Sequence, residues 1–248
     1  MTPFVAELLG TMILLLLGNG VVANVLLKSS KGHGPDWLLI SAGWGMAVFA
    51  GVMVSAEASG AHLNPAVSIA TAIASADFSW GEAAQYILAQ LIGASLGTSL
   101  VWLAYRLQYE VTEDRDAKLG TFCTAPEIRG TVSNLLTEAI GTFVLVFVAL
   151  SMASPELTAD GLTNGKMGLG AIGALPVGLL VFGIGMSLGG PTGYAINPAR
   201  DLMPRIMHSI LPISDKRDGD WSYSWIPVAG PIAGGVIAAL LYIGIHPV

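Results

Sequence analysis

Apolar residues run along this chain in long blocks separated by short polar connections. A membrane span needs about 20 predominantly apolar residues, and six blocks reach that length. They run from Pro3 to Leu27, Trp37 to Ala56, Glu82 to Tyr105, Thr131 to Met152, Met167 to Leu188 and Tyr223 to Ile245. Two further segments, Ser59 to Ala76 and Gly189 to His208, are too short and too polar at their starts to span alone. Each carries the same tripeptide, Asn64-Pro65-Ala66 in the first and Asn197-Pro198-Ala199 in the second. Asn caps the free backbone N–H groups of a helix start, and Pro fits the first helical position. The pattern therefore predicts two half-helices that begin inside the bilayer. Irregular backbone at that depth is tolerated only against protein or a water-filled cavity. Both segments read as re-entrant: a loop enters and a half-helix leaves.

The two halves of the chain resemble each other. Glu7-Leu8-Leu9-Gly10-Thr11 matches Glu138-Ala139-Ile140-Gly141-Thr142 at an offset of 131 residues, and the tripeptides are offset by 133. The organisation is one channel-like domain over 1–248: repeat one 1–105, a loop 106–130, and repeat two 131–248. Three spans per repeat is an odd number, so the second repeat must enter from the opposite side. That makes an inverted repeat, with half-helix N-termini meeting near the midplane. Glu7 and Glu138 hold equivalent places inside spans, where a carboxylate is costly and needs specific partners. The expected partners are N–H groups of the re-entrant loops, which lack a helix or strand to bond with. Gly93 and Gly97, and Gly230 and Gly234, are small-xxx-small pairs that let helices approach closely.

Composition narrows the function classes. The chain is 53% hydrophobic and 11% charged, well below the charge of an ordinary soluble domain. The net charge of −6 argues against nucleic acid as a partner. A single cysteine, Cys123, excludes an internal disulfide and a cysteine metal cage. The polar run 106–130 reads as a solvated loop with no further function. Gly168 to Gly173 fits a dinucleotide fingerprint, but no preceding strand and no acidic residue about 20 positions on are expected there. The four histidines, His33, His62, His208 and His246, are not at metal-ligand spacing. No nucleophile motif supports an enzyme, and no cofactor or metal is expected.

With these residues in view, the chain resembles the aquaporin superfamily over nearly its whole length. The stretch Ser59-Gly60-Ala61-His62-Leu63-Asn64-Pro65-Ala66-Val67 is highly specific to it. Within the superfamily it resembles the glycerol facilitators, or aquaglyceroporins, because Asp201 follows Asn-Pro-Ala-Arg, with Arg205 and Pro227 in keeping. The resemblance implies an all-α membrane protein with six transmembrane helices and two re-entrant half-helices in a right-handed bundle. It also implies a homotetramer in the cell membrane with both termini cytoplasmic.

The family's constriction falls here on Trp44, Gly185, Tyr194 and Arg200. Gly185 stands where water-selective members usually have His, which leaves room for a larger solute. Tyr194 departs from the Phe of well-known facilitators; its hydroxyl lies either at the filter or turned away. Glu57 stands near the inner mouth where a small residue is common.

These assignments predict a passive channel for glycerol and other small neutral solutes, and for water. Trp44 and Tyr194 would face the carbons of a polyol, while Arg200 donates to its hydroxyls. Carbonyls of Gly60, Ala61, His62 and Leu63, and of Gly193, Tyr194 and Ala195, would accept along the path without binding tightly. Asn64 and Asn197 would donate to the passing oxygen at the centre. Each half-helix N-terminus carries about half a positive charge, and Arg200 adds a full one, so cations and protons are opposed.

The rival class is an ion-coupled secondary transporter, since inverted repeats and broken helices are its hallmark too. It would need an ion site, and only Glu7, Glu57 and Glu138 could supply carboxylates. A non-conducting scaffold is a third class. One signal opposes the family orientation: it puts Lys28, Lys31, Arg106, Arg115, Lys118, Arg129, Lys216 and Arg217 outside, against the positive-inside rule.

Overall fold

The computed structural model describes residues 1–34, 36–152, 156–159, 162–166 and 169–246. Repeat one contains α1 (Pro3–Leu26), α2 (Trp37–Ser59), the half-helix α3 (Pro65–Ala74) and α4 (Trp80–Ala104). Two short helices follow, α5 (Arg106–Val111) and α6 (Arg115–Gly120). Repeat two contains α7 (Thr131–Ser151), α8 (Leu175–Leu188), the half-helix α9 (Pro198–Ile210) and α10 (Ile226–Ile245). Between α7 and α8 lie an antiparallel hairpin, β1 (Glu156–Ala159) with β2 (Leu162–Lys166), and a 3-10 turn at Gly170–Ala174.

Helix boundaries follow local chemistry. Ser79 and Glu82 form a capping box at the start of α4, which therefore begins two residues before the expected Glu82. Asp36 caps α2 through Leu39 N, and α2 ends where Gly60 adopts a φ of 78°. Among the described residues, five helices are long and apolar enough to cross a membrane: α1, α2, α4, α7 and α10.

The remaining span is shorter than the hydropathy suggests. It was expected from Met167, which lies outside the described residues; α8 itself starts at Leu175, with Pro176 in its first turn. Fourteen residues at α-helical rise give about 21 Å. The five-residue 3-10 turn adds about 10 Å, enough together for a hydrocarbon core of about 30 Å.

Two expectations are corrected here. A strand does stand before the glycine run near 168, namely β2, but it belongs to an isolated hairpin rather than a strand–helix–strand unit. The dinucleotide context is still missing, because the glycines there lead into a 3-10 turn. The polar run 106–130 is not simply solvated. Tyr109, Lys118, Phe122 and Cys123 are buried, and Lys118 Nζ donates to the Ser214 carbonyl at 2.6 Å. The run folds back onto the bundle.

Packing carries the symmetry of the repeat. In repeat one α1 lies against α4, in repeat two α7 lies against α10, and each half-helix packs on the last long helix of the other repeat. Glycines allow the close crossings. A Cβ on Gly93 or Gly97 would come within 2.3 Å of a carbonyl oxygen of α1. On Gly234 it would lie 2.1 Å from the Ala139 carbonyl oxygen of α7, and on Gly230 2.7 Å from the Glu138 Cβ. At the crossing of α2 and α8, Gly45 and Gly178 face each other's carbonyls in the same reciprocal way.

Candidate functional site

The two re-entrant loops are built alike, residue for residue. In the first, Gly60, Ala61 and Leu63 have positive φ; in the second, Gly193, Tyr194 and Ile196 do. Positive φ at a residue with a side chain costs about 1–2 kcal/mol, and four such residues lie here at matching places.

A buried carboxylate offsets that cost in each loop. Glu7 Oε1 accepts from His62 N at 2.9 Å and Ser59 Oγ at 2.6 Å, while Oε2 accepts from Leu63 N at 2.7 Å. Glu138 Oε1 accepts from Ala195 N at 3.0 Å and Thr192 Oγ1 at 2.7 Å, while Oε2 accepts from Ile196 N at 2.8 Å. Both carboxylates are 0% exposed. Their oxygens are occupied by loop donors, so neither is free to hold a transported ion.

The half-helices meet through their caps. Asn64 Oδ1 accepts from Ala66 N at 2.9 Å, and Asn197 Oδ1 accepts from Ala199 N and Arg200 N at 3.0 and 3.2 Å. Each amide nitrogen then crosses to the other loop. Asn64 Nδ2 donates to the Ile196 carbonyl and Asn197 Nδ2 to the Leu63 carbonyl, both at 2.8 Å. An amide nitrogen carries two N–H groups, so each Asn keeps a second one after this exchange. The Leu63 carbonyl, expected along the path, holds one bond and retains a lone pair. Pro65 and Pro198 occupy the first turns, where a missing N–H leaves nothing unpaired.

Two cavities approach this junction. One, of about 780 Å³, is lined by Trp37, Ile40, Trp44, Gly193, Tyr194 and Arg200 among others. The other, of about 300 Å³, is lined by Gly60, Ala61, His62, Leu63, Asn64 and an apolar wall. They share no lining residue. Of the four residues expected at the constriction, Trp44, Tyr194 and Arg200 line the larger cavity and Gly185 packs against Tyr194, so a path joining the two cavities would have its neck there.

Arg200 lies with its guanidinium carbon 4.1 Å from the centre of the Trp44 ring, and Nη1 donates to the Phe122 carbonyl at 3.3 Å. Trp44 itself fits because Gly18 has no side chain; a Cβ there would sit 2.2 Å from the ring. The space left by Gly185 is taken by Tyr194. A Cβ on Gly185 would lie 2.8 Å from the Tyr194 hydroxyl and 3.1 Å from Ser41 Oγ. The hydroxyl thus sits between α2 and α8, against Gly185 and near Ser41. Trp37 completes the corner: its Nε1 donates to the Gly185 carbonyl at 2.9 Å, and its ring meets Tyr194 edge-on at 5.8 Å.

Other expected residues find plain roles. His62 lines the smaller cavity, pairs with Ser68 Oγ at 3.1 Å and sits edge-on to Phe78 and Tyr86. Glu57 is exposed in the last turns of α2. Asp201 is 0% exposed and forms a buried ion pair with Arg205 at 2.7 Å. Between the loop 106–130 and the connection before α10, Arg129 pairs with Asp220. Burial pushes the Asp220 carboxyl up, but the hydrogen bond and charge of Arg129 hold it below the usual carboxylate range on balance. Among the described residues no cluster of His, Cys, Asp and Glu could hold a metal.

The sequence reading missed part of the wall. Ile40 and Trp44 line the larger cavity and Val48 and Val52 the smaller one, a stripe of α2 at four-residue spacing. The spacing was legible, but α2 is apolar on every face, so nothing singled out that stripe. Gln90, inside α4, was also missed: its Nε2 donates to Glu7 Oε2 at 2.7 Å.

Half-helices meeting cap to cap among long apolar helices mark an integral membrane protein. Comparison with known proteins places it further. The model of the family described as "Major intrinsic protein" matches residues 1–242, and the chain belongs to that family. It is 52% identical over 242 residues to the probable glycerol uptake facilitator protein of Thermotoga maritima, covering 98% of each chain. It is 51% identical to the glycerol uptake facilitator protein of Streptococcus pneumoniae, again over 98% of both. Among solved structures it matches the aquaglyceroporin from Plasmodium falciparum with a TM-score of 0.82 and 33% identity, over 98% of this chain and 96% of that one.

Proposed function

We propose that the chain is a passive channel for glycerol and other small neutral solutes, which also passes water and excludes ions and protons. Kinship with glycerol uptake facilitators over the full chain supports the passive glycerol channel. The observation that carries the filter assignment is the Arg200–Trp44 pair in the neck, facing Tyr194 and Gly185. A polyol has a CH side and an OH side. Trp44 and the Tyr194 ring meet the first, while Arg200 and the loop carbonyls meet the second. Dehydration is offset without a tight site, as conduction requires. The half-helix termini and Arg200 supply a positive field at the neck that opposes cations. Asn64 and Asn197 each keep an N–H for the central oxygen, which then acts as acceptor from both and relays protons poorly.

The domain division into repeats 1–105 and 131–248, a homotetrameric assembly, placement in the cell membrane and cytoplasmic termini belong to the same proposal. Tag accessibility in intact cells tests the termini. The function is tested by stopped-flow light scattering on proteoliposomes with a panel of solutes. Glycerol flux is expected to rise linearly with its gradient and to ignore proton and sodium gradients. Saturation, or acceleration by either ion gradient, would instead identify a coupled transporter.

A further inference from the structure

Arg200 reaches the neck from α9, but one of its two fixed contacts, the Phe122 carbonyl, belongs to the connection between the repeats. What holds Phe122 there is a closed set of buried bonds one step away. Asp201 Oδ2 accepts from both the backbone N and the Oγ1 of Thr124, each at 2.7 Å. Asp201 Oδ1 accepts from Arg205 Nε at 3.0 Å and Nη2 at 2.7 Å. Arg205 Nη2 also donates to the Thr124 carbonyl at 2.8 Å, and Nη1 to the Gly219 carbonyl at 2.6 Å. Asp201 and Arg205 are both 0% exposed. Two outer connections are thus tied to the half-helix that bears Arg200. Neighbouring side chains of one helix turn, Arg200 and Asp201, grip the same segment two residues apart, at 122 and 124.

From this we infer that Thr124, which also borders the larger cavity, and Asp201 are positioning residues for the Arg200 guanidinium, and so set solute discrimination through it. The inference rests on the reading of Arg200 as a filter residue. Thr124 has a second contact that must be separated from this one: a Cβ on Gly193 would lie 3.3 Å from its Cγ2. Thr124→Val keeps that methyl and deletes the hydroxyl bonded to Asp201. Thr124→Ser does the reverse.

The experiment measures the glycerol-to-urea permeability ratio in proteoliposomes for wild type, Thr124→Val, Thr124→Ser and Arg200→Ala, and for the double variant Thr124→Val/Arg200→Ala. Thr124→Ala is carried as a second deletion of the hydroxyl. Thr124→Val moves the ratio about threefold towards that of Arg200→Ala, less than the roughly tenfold or more of a whole hydrogen bond to a charged group, because the loss reaches Arg200 only through the segment that carries Phe122. Thr124→Ser stays at the wild-type ratio, and Thr124→Val adds nothing in the Arg200→Ala background. A loss of folded protein lowers all fluxes together and leaves the ratio alone. A wild-type ratio in Thr124→Val and Thr124→Ala beside an altered Arg200→Ala overturns this inference only. So does an equal Thr124→Val shift in both backgrounds. A wild-type ratio in Arg200→Ala overturns the filter reading and this inference with it.

Discussion

The first and second re-entrant loops share a scaffold and differ at their ends. Both hang on a buried Glu by two backbone N–H groups and a hydroxyl, both turn through positive φ at matching places, and both begin a half-helix with Asn-Pro-Ala. Beyond the tripeptide they part. α3 continues with Val67, which lines the smaller cavity, and Ser68, which pairs with His62 and Gln90, whereas α9 continues with Arg200-Asp201 and ties down the loop 106–130. The common part builds the meeting point; in the proposed reading, the part that differs carries the chemistry of selection.

The strongest way to break this comparison is to damage the shared part. Glu138→Gln places an NH2 group where three donors converge and is expected to destabilise the fold by about 2–4 kcal/mol, read as lowered thermal unfolding in detergent. A Glu138→Gln variant as stable as wild type would mean the carboxylates do not support the loops. Next in size is Gly234→Ala. Its Cβ would clash with the Ala139 carbonyl, at a cost of about 2 kcal/mol, which the same melting curve would record.

A smaller effect sharpens the comparison. An offset of 137 relates Gly93 to Gly230, Gly97 to Gly234 and Tyr86 to Tyr223, and it places Gln90 opposite Pro227. Repeat two therefore manages without the amide that Gln90 gives Glu7. Gln90→Leu leaves Glu7 with the same three donors as Glu138, so a loss of only about 1 kcal/mol is expected. A loss as large as that of Glu138→Gln would mean that the two cradles are not equivalent.

Much of this was legible in the sequence, and the reasons are physical. Hydropathy and caps put the ends of α1 and α7 within a residue of their true places, because nothing but a helix satisfies backbone groups in lipid. The twin tripeptides and the paired Glu gave the loop scaffold, since each is expensive unless used. The burial of Tyr109, Lys118, Phe122 and Cys123 was hidden, because they are scattered through a polar run and their partners lie far along the chain. The bond from Thr124 to Asp201 spans 77 residues and carries no local pattern. Gln90 did leave a trace: an amide near the middle of an apolar span needs a partner. Gly185 was read as open room, and the room is filled by the far end of Tyr194.

The most direct test of the division between scaffold and selection is the ratio of glycerol, urea and water permeabilities through Arg200→Ala in proteoliposomes, compared with wild type by stopped-flow light scattering. Removing the guanidinium widens the neck and deletes its donors, so the ratios are expected to converge while the folded amount stays the same. Ratios equal to wild type would contradict the assignment of selection to the second loop.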